Sequence, residues 1–254
     1  MKHFLRVSLA ILGLMAITLL NLSCSTPKIE KADIYFVPVG GFPPALTAEL
    51  VEHFKKKFNV SVAMLPGISM EEQAIDKSRR QAIAEELVET LRLKHQNLVG
   101  NSKAIVIGLT SADIYVRQYP WKFAFTFRNG GRFAIVSSAR MNPVNFGEPA
   151  NEELLRSRLK KMVMKDIGLL YFGLTQNNNP RSVLYGQIGG VEELDKVEEE
   201  FYPTKGSEGV HASLSNKHMH QCGNRGVPMV TCDVIRWPYD IESRQQLCNG
   251  GLRQ

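Results

Sequence analysis

A chain of 254 residues that is 44% hydrophobic and 22% charged, with 20 Gly and 12 Pro, has globular composition and length for one large or two small domains. Collagen-like, low-complexity and mainly disordered chains are excluded, and four Cys are too few to scaffold a fold of this size. The formal charge of +6 drops to +4 without Lys2 and Arg6 of the N-terminal leader, and the other basic residues are scattered apart from Lys55-Lys56-Lys57 and Lys160-Lys161. So weak a field disfavours nucleic acid as a partner.

Lys2 and Arg6 precede an uncharged apolar run from Val7 to Leu20. The run is shorter than the roughly 20 residues that span a bilayer, so residues 1–23 are expected to be a signal peptide rather than a membrane helix. It closes on Asn21-Leu22-Ser23-Cys24, which resembles a bacterial lipoprotein signal. That resemblance implies lipidation of Cys24, a membrane as partner through the lipid, and a place in the bacterial cell envelope outside the cytoplasm. A plain secretory signal with an incidental Cys is the alternative. Residues 24–31 read as a tether.

From Ala32 onward strands and helices alternate. Ile34 to Val39 is a β-branched and aromatic run stopped by Gly40-Gly41, and Leu46 to Phe58 carries apolar residues at helical spacing. Val60 to Leu65 reads as a second strand, and Met70 to His95 as one long helix with Ile75, Ala82, Ile83, Leu87, Leu91 and Leu93 as its apolar members. Lys103 to Leu109 is a nearly all-apolar strand, the pattern of a sheet covered on both faces. Phe123 to Phe127 and Phe133 to Ser137 flank Asn129-Gly130, a hairpin turn signal. Asn151 caps a helix whose first turn holds Glu152 and Glu153, and Gly173 fits the position beyond its end. A short helix near Val191 to Phe201 precedes a Gly- and Asn-containing tail. The expected fold is α/β, a mixed sheet flanked by helices.

The strings Ile34-Tyr35-Phe36-Val37-Pro38-Val39-Gly40, Lys103 to Leu109 followed by Ser111-Ala112-Asp113-Ile114-Tyr115, Phe133 to Met141, and Tyr171-Phe172-Gly173-Leu174 together resemble the archaemetzincins, a family of zinc metallopeptidases. The resemblance covers residues 32–205, leaving 206–254 as a small irregular C-terminal extension. It implies a metzincin-like fold with a long active-site helix carrying H-E-x-x-H and then x-x-G-x-x-H, in which three His hold zinc and the Glu is general base. With Gly173 fixing the register, the first His falls on Asp166, the Glu on Ile167, the second His on Leu170 and the third on Gln176; the Met beneath the site falls on Leu184. A second, Cys-ligated zinc of the family falls on Asn177, Ser182, Tyr202 and Lys205. No position of either site keeps its family ligand. A catalytic zinc needs three protein ligands and lowers the pKa of its water from about 15.7 to about 7. With Leu170 offering no donor and Ile167 no base, the expected protein is a catalytically inactive peptidase-like lipoprotein that binds a peptide or protein in the vestigial cleft, with no cofactor. The alternatives are an active zinc metallopeptidase with a non-standard site and a purely structural envelope component.

Asp166 on an otherwise apolar face is either a lone carboxylate awaiting a basic ligand or one satisfied by a nearby Arg or by backbone N–H groups, the latter being favoured. Tyr185 is expected either to line the cleft or to pack at the core edge. In the tail, His218, His220, Cys222 and Cys232 are zinc-type ligands at a spacing that fits no finger pattern. A Cys222–Cys232 disulfide is the preferred reading in an exported chain, contributing somewhat under about 3 kcal/mol. Neither G-x-S-x-G nor a P-loop motif occurs.

Overall fold

The structure, a computed structural model, describes residues 31–99, 103–129 and 131–202. The expected leader with Cys24, Lys205, and the tail with His218, His220, Cys222 and Cys232 lie outside the described residues.

The strands are β1 (Ile34–Val39), β2 (Val62–Met64), β3 (Ile75–Asp76), β4 (Gln81–Ile83), β5 (Ile105–Thr110), β6 (Ile114–Tyr115), β7 (Thr126–Asn129) and β8 (Phe133–Ser137). The helices are α1 (Pro44–Phe58), α2 (Ala84–Val99), α3 (Glu152–Leu170) and α4 (Val191–Lys196). Five strands form one sheet in the order β2-β1-β5-β8-β7. The first four are parallel and β7 runs antiparallel to β8, with Thr126 opposite Val136 and Arg128 opposite Ala134. This is the mixed, helix-flanked α/β sheet expected from the sequence.

Strand alternation divides the core. Ile34 and Phe36 of β1, Ile105, Ile107 and Leu109 of β5, and Ala134 and Val136 of β8 turn to one face, where Leu50 and Phe54 of α1 and Leu159, Val163 and Ile167 of α3 cover them. Tyr35, Val37, Val106, Phe133 and Ile135 turn to the other, under Leu87, Val88 and Leu91 of α2. All six residues of β1 and of β5 are buried, as expected of central parallel strands. Gly108 of β5 is required by a close approach: a Cβ there would come within 2.7 Å of Leu91 Cδ1 and 2.8 Å of Ile135 Cδ1.

The single helix expected over 70–95 is corrected. Only its second half is helical; the first holds a 3-10 turn at Glu72–Ala74 and the strands β3 and β4, which join β6 in a small three-stranded sheet. Asp76 is the cause. Its Oδ1 accepts from the backbone N–H groups of Ser78 and Arg79 at 2.9 and 3.1 Å, and Arg80 adopts a left-handed φ of 55°. Such a local turn competes with helix. The short helix expected to reach Phe201 stops at Lys196.

α3 begins as its sequence predicts, with the Asn151 side chain accepting from Leu154 N–H at 2.9 Å. It ends at Leu170, and Gly173 takes the left-handed φ of 65° that turns the chain away. The following segment is held against α1 by a stack of Phe58 on Phe201, centroids 5.8 Å apart, and by His53 against Glu199.

Candidate functional site at the α3–β7 junction

Of the positions that the resemblance matches to the family's catalytic site, Asp166, Ile167 and Leu170 lie on the last turns of α3, and Gln176 and Leu184 follow beyond its end. Asp166, Ile167 and Gly168 are buried because this stretch of helix crosses the sheet face beside β8 and β7. Strand pleating sends Thr126 and Arg128, two residues apart on β7, toward the same helix. Asp166 is fully buried between them: Thr126 Oγ1 donates to its Oδ2 at 2.5 Å, and Arg128 Nη1 donates to its Oδ1 at 2.5 Å. Of the two readings of Asp166, the geometry matches the carboxylate satisfied by a nearby Arg. Burial pushes its carboxyl above the ordinary range, against the opposing pull of Arg128 and Thr126.

Lys165, 4% exposed, reaches past the helix to donate from Nζ to the Tyr185 carbonyl at 2.7 Å. Burial, helped by the positive charge of Arg128, brings its pKa down to about 8. Tyr185 is half-buried at the edge of the core, and its hydroxyl donates to Gln187 at 3.1 Å. Leu184, at the vestigial Met position, is 3% exposed and lies under the helix, where a Cβ on Gly168 would meet its Cδ2 at 3.2 Å and Phe201 Cε1 at 2.6 Å.

Three of the positions matched to the second, Cys-ligated zinc converge. Asn177 Nδ2 donates to the Tyr202 carbonyl at 2.8 Å and to Ser182 Oγ at 3.4 Å, while Asn177 N–H donates to the Leu184 carbonyl at 2.9 Å. An amide here cross-links the loop that carries Leu184 and Tyr185. Asn177→Ala is expected to cost about 1–2 kcal/mol, measured by denaturant unfolding, because it leaves the Tyr202 carbonyl without its donor.

The residues that sequence reasoning missed are Thr126, Arg128 and Lys165. The two on β7 carried one usable signal: Thr126 and Arg128 stand two residues apart, so a strand puts both polar side chains on one face. A groove of about 940 Å³ lies at the other edge of the sheet, between α1 and β2, lined by Phe42, Val51, Val62, Leu65 and Ile68.

Residues 45–204 match the model of peptidase family M54. The archaemetzincin of Pyrococcus abyssi is 31% identical over 158 residues, covering 60% of this chain and 81% of that protein. That of Methanocaldococcus jannaschii is 33% identical over 139 residues, covering 54% and 72%. Among solved structures, archaemetzincin from Methanopyrus kandleri matches with a TM-score of 0.53 and 25% identity, covering 69% of this chain and 92% of that one. A zinc-dependent peptidase from Methanocorpusculum labreanum matches with a TM-score of 0.57 and 21% identity, covering 66% and 95%.

These matches correct the expectation that no cofactor belongs with the chain: the family points to zinc. The residues on α3 do not fit it. The one carboxylate is already held by Thr126 and Arg128, Ile167 and Leu170 have no donor atom, and among the described residues no group of three or more His, Cys, Asp or Glu side chains could hold a metal ion. By sequence and by fold, the chain belongs to peptidase family M54, the archaemetzincins.

Proposed function

We propose that this archaemetzincin-family chain is a lipid-anchored envelope protein that binds a peptide or protein along the α3–β7 junction without hydrolysing it there. One observation carries the reading: at the position of the first zinc His stands Asp166, fully buried and spent on Thr126 and Arg128. Beside it Ile167, in the place of the general base, is fully buried and cannot move a proton. What the scaffold retains is the means of holding an extended chain: β7 is the outermost strand of its sheet, so its outer edge has no strand partner among the described residues. Lipid anchorage is supported by Ser23-Cys24 closing the apolar run of the leader.

The test is peptide cleavage and peptide retention by the full chain supplied with zinc, with and without a chelator. Retention without cleavage is expected. Zinc retained by the full chain is expected to be unaffected by Asp166→Asn, since both oxygens of that carboxylate are taken by Thr126 and Arg128. Cleavage that is abolished both by chelation and by Asp166→Asn would overturn the reading in favour of a working peptidase with a non-standard site.

A further inference from the structure

We propose that Arg128 is a specificity-determining residue of the α3–β7 junction, reading a carboxylate group on the bound peptide through the edge of its guanidinium that Asp166 leaves unused. This inference rests on the peptide-binding reading of that junction given above.

The geometry is that of a cation held ready at one side and open at the other. Arg128 Nη1 is bound to Asp166 Oδ1, and among the described residues no acceptor meets Nε or Nη2. The side chain is 19% exposed. Partnerless side-chain atoms that are sealed from solvent, among the described residues, belong only to Glu85, His95 and Asp113, so the open nitrogens of Arg128 touch solvent. A guanidinium presents paired N–H groups in a planar fork that matches a carboxylate in two parallel bonds, which a lysine ammonium cannot reproduce.

The surroundings add to this. Asp166 acts as a positioning residue: fully buried and anchored by Thr126, it fixes the plane of the guanidinium before any ligand arrives. Lys165 lies close enough for its charge to act on the same pair, so two cationic side chains face one carboxylate. Arg128 also lies on the outermost strand, so a chain alongside β7 would pass the open nitrogens.

The experiment offers the full chain three pools of random N-acetyl hexapeptides, and retention is measured by equilibrium dialysis and mass spectrometry. One pool is uncharged with a C-terminal amide, one uncharged with a free C-terminal carboxylate, and one amidated with a single internal Glu. The expected result is at least tenfold stronger retention of a carboxylate-bearing pool over the uncharged amide pool. Preference for the second pool identifies a chain terminus as the source and preference for the third an acidic side chain. Arg128→Gln should erase the preference and Arg128→Lys restore part of it. Should Arg128→Gln fail to fold, the paired variant Arg128→Met/Asp166→Leu removes both charges, and its peptide retention should be independent of carboxylate. Equal retention of all pools, or a preference that survives loss of Arg128, overturns this inference while leaving the junction as a peptide site. Retention of no pool overturns both.

Discussion

Arg128→Met is expected to lose about 3–5 kcal/mol of stability near neutral pH, because it strands the fully buried Asp166 carboxylate without its counter-ion. Thr126, a neutral hydroxyl at 2.5 Å, would be its one remaining hydrogen-bond partner, with the charge of Lys165 acting from further off. The pH dependence identifies the cause. Burial already raises Asp166 in the folded protein, so the folded state holds its proton more tightly than the unfolded chain does. A raised carboxyl contributes most below the ordinary carboxylate range and loses that contribution as pH rises through the folded value. Removing Arg128 raises the carboxyl further, so the deficit should be large at pH 7 and shrink toward about pH 3, where the group is largely protonated in both states. Denaturant unfolding at the two pH values measures it. The paired variant Arg128→Met/Asp166→Leu should recover most of the loss, since replacing both members of a buried pair with apolar groups is often neutral or better. An Arg128→Met protein as stable as the parent at pH 7 would mean that the pair is not buried as described.

The second large effect belongs to Lys165. Its amine is lowered to about 8 in the fold, below the value of 10.5 it has when exposed, so between those values the unfolded chain binds more protons than the folded one. Stability therefore rises with pH across that window. The gain amounts to about 3 kcal/mol at about 1.4 kcal/mol per pH unit. Lys165→Met lacks this response, so the stability difference between parent and variant should move by that amount in the parent's favour between pH 7 and pH 10.5. Below the window the variant is relieved of a buried ammonium, though it forgoes the bond to the Tyr185 carbonyl at 2.7 Å. A difference that stays flat with pH would show that water reaches the amine.

Both effects come from neighbouring ionisable residues buried near the end of α3. Where a zinc-binding helix must aim several donors at one point, α3 aims a single carboxylate, and the fold answers it with Arg128 from the neighbouring strand. The cation paired with Asp166 is a guanidinium, which can hold a carboxylate but cannot lower the pKa of a water as zinc does. At the positions matched to the second zinc, Asn177 links Ser182 and Tyr202 by hydrogen bonds.

Much of this was legible in the chain. The all-apolar runs of β1 and β5, the Asn151 cap of α3 and the turn at Gly173 are short-range signals, set by periodicity and by the φ angles that particular residues tolerate. They fixed the sheet and the helix, and with them the register in which the resemblance matches Asp166 and Leu170 to ligands and Ile167 to the base. They failed over 70–83, where apolar residues at helical spacing were overruled by the Asp76 turn and by pairing with β6. Only the folded chain could name the partner of Asp166. Arg128 lies 38 residues away, and it reaches the carboxylate because the register of β7 on β8 turns alternate residues toward α3. A contact of that kind depends on strand order and pleat, which no local pattern encodes, whereas the identity of a side chain at a helix position is present in the sequence itself.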